Sequence, residues 1–101
     1  MKEVSQTKLY MKWYSRLKDR VAKVRIAVRI RRMQSGNVGD AKPVGDGVFE
    51  LRFNFGPGYR VYYTERGDEI IILLAGGDKS TQQSDIEAAK RLAANIQGGA
   101  T

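Results

Sequence analysis

The stretch Val48–Tyr63, VFELRFNFGPGYRVYY, constrains this chain more than any other. Two runs rich in aromatic and β-branched residues flank Asn54-Phe55-Gly56-Pro57-Gly58, a joint that predicts a β-hairpin with a longer loop. Strand side chains alternate between faces. Phe49, Leu51 and Phe53 then share one face of the first strand, and Glu50 and Arg52 the other. In the second strand Tyr59, Val61 and Tyr63 fall on one face, Arg60 and Tyr62 on the other. Pairing the apolar sets against a core leaves Glu50, Arg52, Arg60 and Tyr62 together on the opposite face. Two guanidiniums, a carboxylate and a phenol on a rigid sheet suit a phosphodiester, because guanidinium forks match phosphate oxygens and keep their charge.

The flanking segments supply the layers such a hairpin needs. Lys2–Ser5 reads as a short edge strand. From Gln6, Leu9, Trp13 and Leu17 recur every four residues with Tyr10 and Tyr14 alongside, which is helical spacing, and Thr7 or Ser5 is the candidate cap. Asp19-Arg20 marks a corner. Val21–Met33 then carries a second helical pattern, with Ile26, Ile30 and Met33 on one stripe and Val24 and Val28 beside it. The two helices form an α-hairpin. Lys23, Arg25, Arg29, Arg31 and Arg32 fill the rest of the second helix; a solvated face or an acidic protein partner explains such a run better than direct phosphate contact.

Ser35–Gly47 holds four glycines and one proline and reads as a long loop, whose length suggests a functional role. Its one cation, Lys42, is either a group reaching over the sheet or a mobile side chain on a loop tip. After a turn at Glu65-Arg66-Gly67-Asp68, Glu69–Ala75 is apolar without alternation, as in a strand buried on both faces. Gly76-Gly77 is expected to end it. Ser80 with Gln83 fits a capping box for the last helix, Ile86, Ala89, Ala93 and Ile96 form its apolar stripe, and Gly98 is its expected stop. The order β-α-α-β-β-β-α predicts an α+β domain over residues 1–101, with helices on one face of a mainly antiparallel four-stranded sheet.

Composition narrows the chemistry. A chain of 101 residues with 42% hydrophobic and 29% charged residues can build one core and is not a disordered chain. No apolar run approaches the roughly 20 residues of a membrane span, and no apolar leader opens the chain, so a cytoplasmic protein is expected. Cysteine and histidine are both absent, which removes disulfides, thiolate chemistry and the usual near-neutral acid–base group. The carboxylates show no metal-ligand spacing, so neither metal nor cofactor is expected. Eighteen Lys and Arg against eleven Asp and Glu, a formal charge of +7, favour a polyanionic or acidic partner.

Three segments in this order and spacing, KPVGDGVFELR, FELRFNFGPGYRVYY and IIILLAGGDKSTQQSDIEAAK, resemble the RelE/ParE superfamily of bacterial toxin–antitoxin toxins. Within it they are most similar to the addiction-module killer protein branch. The resemblance spans the chain from the first helix to the last. It implies a growth-inhibiting toxin neutralised by a cognate, adjacently encoded DNA-binding antitoxin, as a hetero-oligomer. RelE-type members cut mRNA on the ribosome; ParE-type members share the fold and poison gyrase without cutting RNA; a third option is a member that only binds its antitoxin. By motif, the phosphate-holding basic residues fall on Arg52, Arg60 and Lys79; Lys42, from its place in the loop, is a further candidate RNA contact. The chain departs from the better-known nucleases at Glu50, where they carry a lysine. It departs again at Gln82-Gln83-Ser84-Asp85-Ile86, where they carry a tyrosine.

For an RNA-cleaving member the 2′-hydroxyl attacks the adjacent phosphate, and the protein stabilises phosphoryl charge and moves protons. Arg52 and Arg60 suit the first task. For the second, Glu50 is the candidate base and Lys79 or Tyr62 the candidate acid. Glu50 reads equally well as an ion-pair partner holding an arginine, and Tyr62 as a platform for an unpaired base or, one register away, as core.

Overall fold

The structure is a computed structural model and describes residues 1–99. Strands β1 (Glu3–Gln6), β2 (Ala41–Gly45), β3 (Val48–Arg52), β4 (Arg60–Arg66) and β5 (Ile70–Gly77) form one sheet in the order β1-β5-β4-β3-β2. Helices α1 (Lys8–Arg16) and α2 (Arg20–Gln34) follow β1, and a single 3-10 turn (Lys79–Thr81) leads into α3 (Gln82–Gly99). Among the described residues only β1, which lies parallel to β5, departs from antiparallel pairing. The α+β architecture is thus the one expected, with five strands in place of four.

The additional strand is β2, inside the segment read as a loop. Its Gly- and Pro-rich sequence has little strand propensity, but Ala41 and Lys42 lie opposite Leu51 and Glu50 of β3, and the ladder supplies what propensity does not. Pro43 is tolerated because β2 is an edge. A bulge between Pro43 and Gly45 and a tight turn at Asp46, with φ of 57°, return the chain into β3.

Helices cover both faces of the sheet, not one. On the first face Leu51, Phe53, Val61, Tyr63, Ile71 and Leu73 pack with Tyr10 of α1 and Ile26 and Met33 of α2. On the second, Val48, Tyr62, Ile72, Leu74 and Ala75 pack with Ala89 and Ala93 of α3. The unbroken apolar run of β5 follows directly, since it is the central strand between two helical layers. The hairpin faces are those expected: Phe49, Leu51, Phe53, Tyr59, Val61 and Tyr63 all belong to the first core.

Several boundaries differ from the sequence reading. Thr7 caps α1 by accepting from the Tyr10 amide, and Tyr10 is the buried residue of α1 while Leu9 is exposed. Asp19 caps α2 through the Ala22 amide. The capping box before α3 is Asp78 with Thr81, because Ser80 already lies inside the 3-10 turn and donates its amide to Asp78. Gly76 and Gly77 belong to β5, where other side chains occupy the space of their missing ones. A Cβ on Gly76 would overlap the Trp13 ring, and one on Gly77 would overlap the Asp85 carboxylate. Nor does Gly98 stop α3, which runs on to Gly99; glycine weakens a helix by about 1 kcal/mol yet keeps its N–H. Among the described residues no helix is long and apolar enough to cross a membrane.

Candidate functional site

The second sheet face carries a polar end beyond its apolar core. Strand pairing sets Lys42, Glu50, Tyr62 and Ala75 in one cross-strand row and Arg52, Arg60 and Gly77 in the next. Directly opposed residues share a face. The four hairpin residues expected together therefore do lie on one side, joined by Lys42 from β2.

This side is not an open one. The start of α3 roofs it, so that Glu50 and Tyr62 have no accessible surface and Arg60 retains 7%. Glu50 Oε2 accepts from the Tyr62 hydroxyl at 3.1 Å and from Gln82 Nε2 at 2.7 Å. Its other oxygen faces Arg60 Nε at 3.9 Å, and neither of these two atoms has a hydrogen-bond partner. Burial raises the Tyr62 phenol above its ordinary pKa, and the adjacent Glu50 carboxylate raises it further. Tyr62 therefore holds its proton and gives it, as a hydrogen bond, to Glu50.

Arg60 is aimed by backbone. Its Nη1 donates to the Gly58 and Tyr59 carbonyls, each at 3.0 Å. The same Gly58, at φ 78°, supports Lys79: a Cβ there would meet the lysine Cγ at 2.9 Å. One glycine thus joins the arginine of β4 to the lysine before α3, and only glycine satisfies both its dihedral and the close approach. Gly56-Pro57 completes the turn, with the Gly58 amide donating to the Phe55 carbonyl at 3.1 Å.

Arg52 stands opposite Arg60 in the ladder. Like charges so placed repel, and each guanidinium leans on its own carboxylate. Arg52 pairs with Asp40 at 3.1 Å, half exposed, while Arg60 faces the buried Glu50. Arg29 of α2 supports the same segment, donating to the Arg52 carbonyl at 2.9 Å. Lys42 and Lys79 are exposed, and among the described residues neither makes an ion pair. The result is a rim of exposed or half-exposed cations around a buried carboxylate.

The model of the family described as phage-derived protein Gp49-like matches residues 12–95. The chain belongs to that family. A Haemophilus influenzae protein is 49% identical over 94 residues, covering 93% of this chain and 95% of its own length. Among solved structures, the Gp49-like chain superimposes on a free-state E. coli toxin RelE carrying two arginine-to-alanine substitutions. That match has a TM-score of 0.71 and 15% identity, over 89% of this chain and 96% of RelE. The fold is therefore the RelE fold.

The sequence reading missed three members of this site. Gln82 stood only as a departure from a familiar pattern, although an amide at the start of a helix beside a buried carboxylate is a natural donor. Asp40 gave no signal, since its partner lies 12 residues away across a ladder that was not expected. Gly58 was read as turn chemistry alone.

Proposed function

We propose that this protein is the toxin of a type II toxin–antitoxin pair and an mRNA endonuclease acting on translating ribosomes. The observation that carries this reading is the convergence of Arg60 and Lys79 on Gly58, with Arg52 beside them on the neighbouring strand. Two cations meeting at one glycine, with a third on the neighbouring strand, match the spread charge of a phosphodiester under attack. Preorganised donors of this kind contribute most where charge develops.

In this reading the 2′-hydroxyl gives its proton to solvent as its oxygen attacks the adjacent phosphorus, the bond to the 5′ oxygen breaks, and a cyclic phosphate forms. Arg52 and Arg60 hold the phosphoryl oxygens. The Lys79 ammonium, exposed and unpaired, passes a proton to the departing oxygen. Glu50 is a positioning residue: buried under Gln82 and Tyr62, it keeps Arg60 directed. Lys42 extends the cationic track along the strand. Tyr62, with no accessible surface, offers no platform for an unstacked base and holds its proton too firmly to serve as the acid. The site thus grips phosphates without reading bases, and the ribosome supplies the in-line arrangement of the message. Neutralisation falls to a cognate antitoxin with acidic surface.

Induced expression in bacteria with transcript ends mapped genome-wide tests this. Wild type is expected to arrest growth and create 5′ ends inside translated frames. Lys79→Ala and Arg52→Ala, both at accessible positions, are expected to fold normally and lose about 100-fold or more of the cleavage. Arrest with intact transcripts would overturn the nuclease reading in favour of a gyrase-directed one.

A further inference from the structure

A second surface lies away from the cation rim. α2 buries Ala22, Ile26 and Met33 but turns Val21, Val24 and Val28 outward, at spacings of three and four. Val24 is 62% exposed and Val28 40%. Beside them opens a groove of about 250 Å³ whose walls include Val24, Val28, Phe53 and Phe55 and whose borders carry Arg25 and Arg32. Neither of these two arginines makes a salt bridge among the described residues. An apolar stripe at helical spacing, flanked by unpaired guanidiniums, is the complement of an amphipathic helix with acidic edges.

The aromatic rings argue against nucleic acid in this groove. The Arg25 guanidinium covers the Phe55 ring at 4.8 Å and that of Arg29 covers Phe53 at 4.7 Å. The faces on which bases would stack are occupied by cations from the same chain. What remains accessible is aliphatic surface, which rewards apolar side chains and offers bases little. Arg29 also links this wall to the site, through its bond to the Arg52 carbonyl.

We propose that the α2 groove docks an acidic amphipathic helix of the neutralising partner. The inference rests on the toxin–antitoxin reading and adds the surface the partner uses. The partner's apolar residues sit between Val24 and Val28 while its carboxylates meet Arg25 and Arg32. Docking there leaves Lys79 and Arg60 untouched by the helix itself and presses on the wall that Arg29 ties to β3.

The test measures, by calorimetry, binding of the protein encoded by the adjacent gene to the full chain, wild type beside Val24→Asp and Arg25→Glu. Both variants are expected to melt near the wild-type temperature and to bind at least about 10-fold more weakly, as loss of a central interface contact does. Raised salt is expected to weaken wild-type binding and to affect Arg25→Glu less. Equal affinity in all three proteins would overturn the docking surface and leave the toxin reading standing. Failure of the wild type to bind would overturn both. Loss of RNA binding in the two variants, with partner binding unchanged, would overturn the proposal and assign the groove to RNA.

Discussion

Replacing Glu50 with glutamine removes one charge from the centre of the site and almost nothing from its shape. The carboxylate has no accessible surface, accepts from Tyr62 and Gln82, and faces Arg60 at 3.9 Å. At that separation the attraction is about 4 kcal/mol for an effective dielectric of about 20. Breaking a buried pair by removing one partner typically costs about 3–5 kcal/mol, since the remaining charge stays buried. Hydrogen bonds to a charged acceptor also weaken when the acceptor becomes neutral, by roughly 1 kcal/mol each. Against these stands relief from keeping the carboxylate out of water, so Glu50→Gln is expected to lower stability by about 3 kcal/mol. For a chain of this length that corresponds to a fall of roughly 12–24 °C in melting temperature. Urea unfolding at neutral pH reads the difference, with Glu65→Gln as the control. Glu65 pairs with Lys2 at the surface, and its loss is expected to cost at most about 1 kcal/mol. If Glu50→Gln stays within about 1 kcal/mol of wild type, the carboxylate does not hold Arg60. The arginine would then be set by the Gly58 and Tyr59 carbonyls alone.

Two further outcomes follow from the same geometry. Gly58→Ala is expected to destabilise the chain by about 1–3 kcal/mol through its positive φ and its overlap with the Lys79 stem, and to reduce transcript cleavage more than Asn54→Ala in the same loop. Stability is also expected to fall in alkali: burial raises the phenols of Tyr10, Tyr62 and Tyr63 above the ordinary tyrosine value. The folded state then keeps protons that the unfolded chain loses, so this contribution is complete below the unfolded value of about 10 and declines as pH rises beyond it. Melting temperatures between pH 8 and 11 check the decline, and Tyr62→Phe is expected to make it shallower.

The hairpin was legible because its signal is local. Alternation at Phe49, Leu51 and Phe53 against Glu50 and Arg52 survives any reasonable packing, and Asn54-Phe55-Gly56-Pro57-Gly58 punctuates it without ambiguity. The run at Ile70–Ala75 was legible as doubly buried for the same reason. Strand β2 was not, because Ala41–Gly45 has the composition of a turn and becomes a strand only through β3. Helix placement was half legible. Periodicity marked the apolar stripe of α3, but nothing in it says on which side of the sheet that stripe packs.

The residues alone determined which side chains share a face, since the two-residue period of a strand leaves one choice once the apolar set is known. They determined equally that any phosphate chemistry here would rest on arginine and lysine, for there is no histidine or cysteine. Tertiary structure decided where each polar residue stands. By laying Gln82 and the rest of α3 across the second face, it took Glu50 and Tyr62 out of water and left Arg52, Lys42 and Lys79 at the rim. Burial is a property of what packs on top, and what packs on Glu50 comes from 32 residues further along the chain.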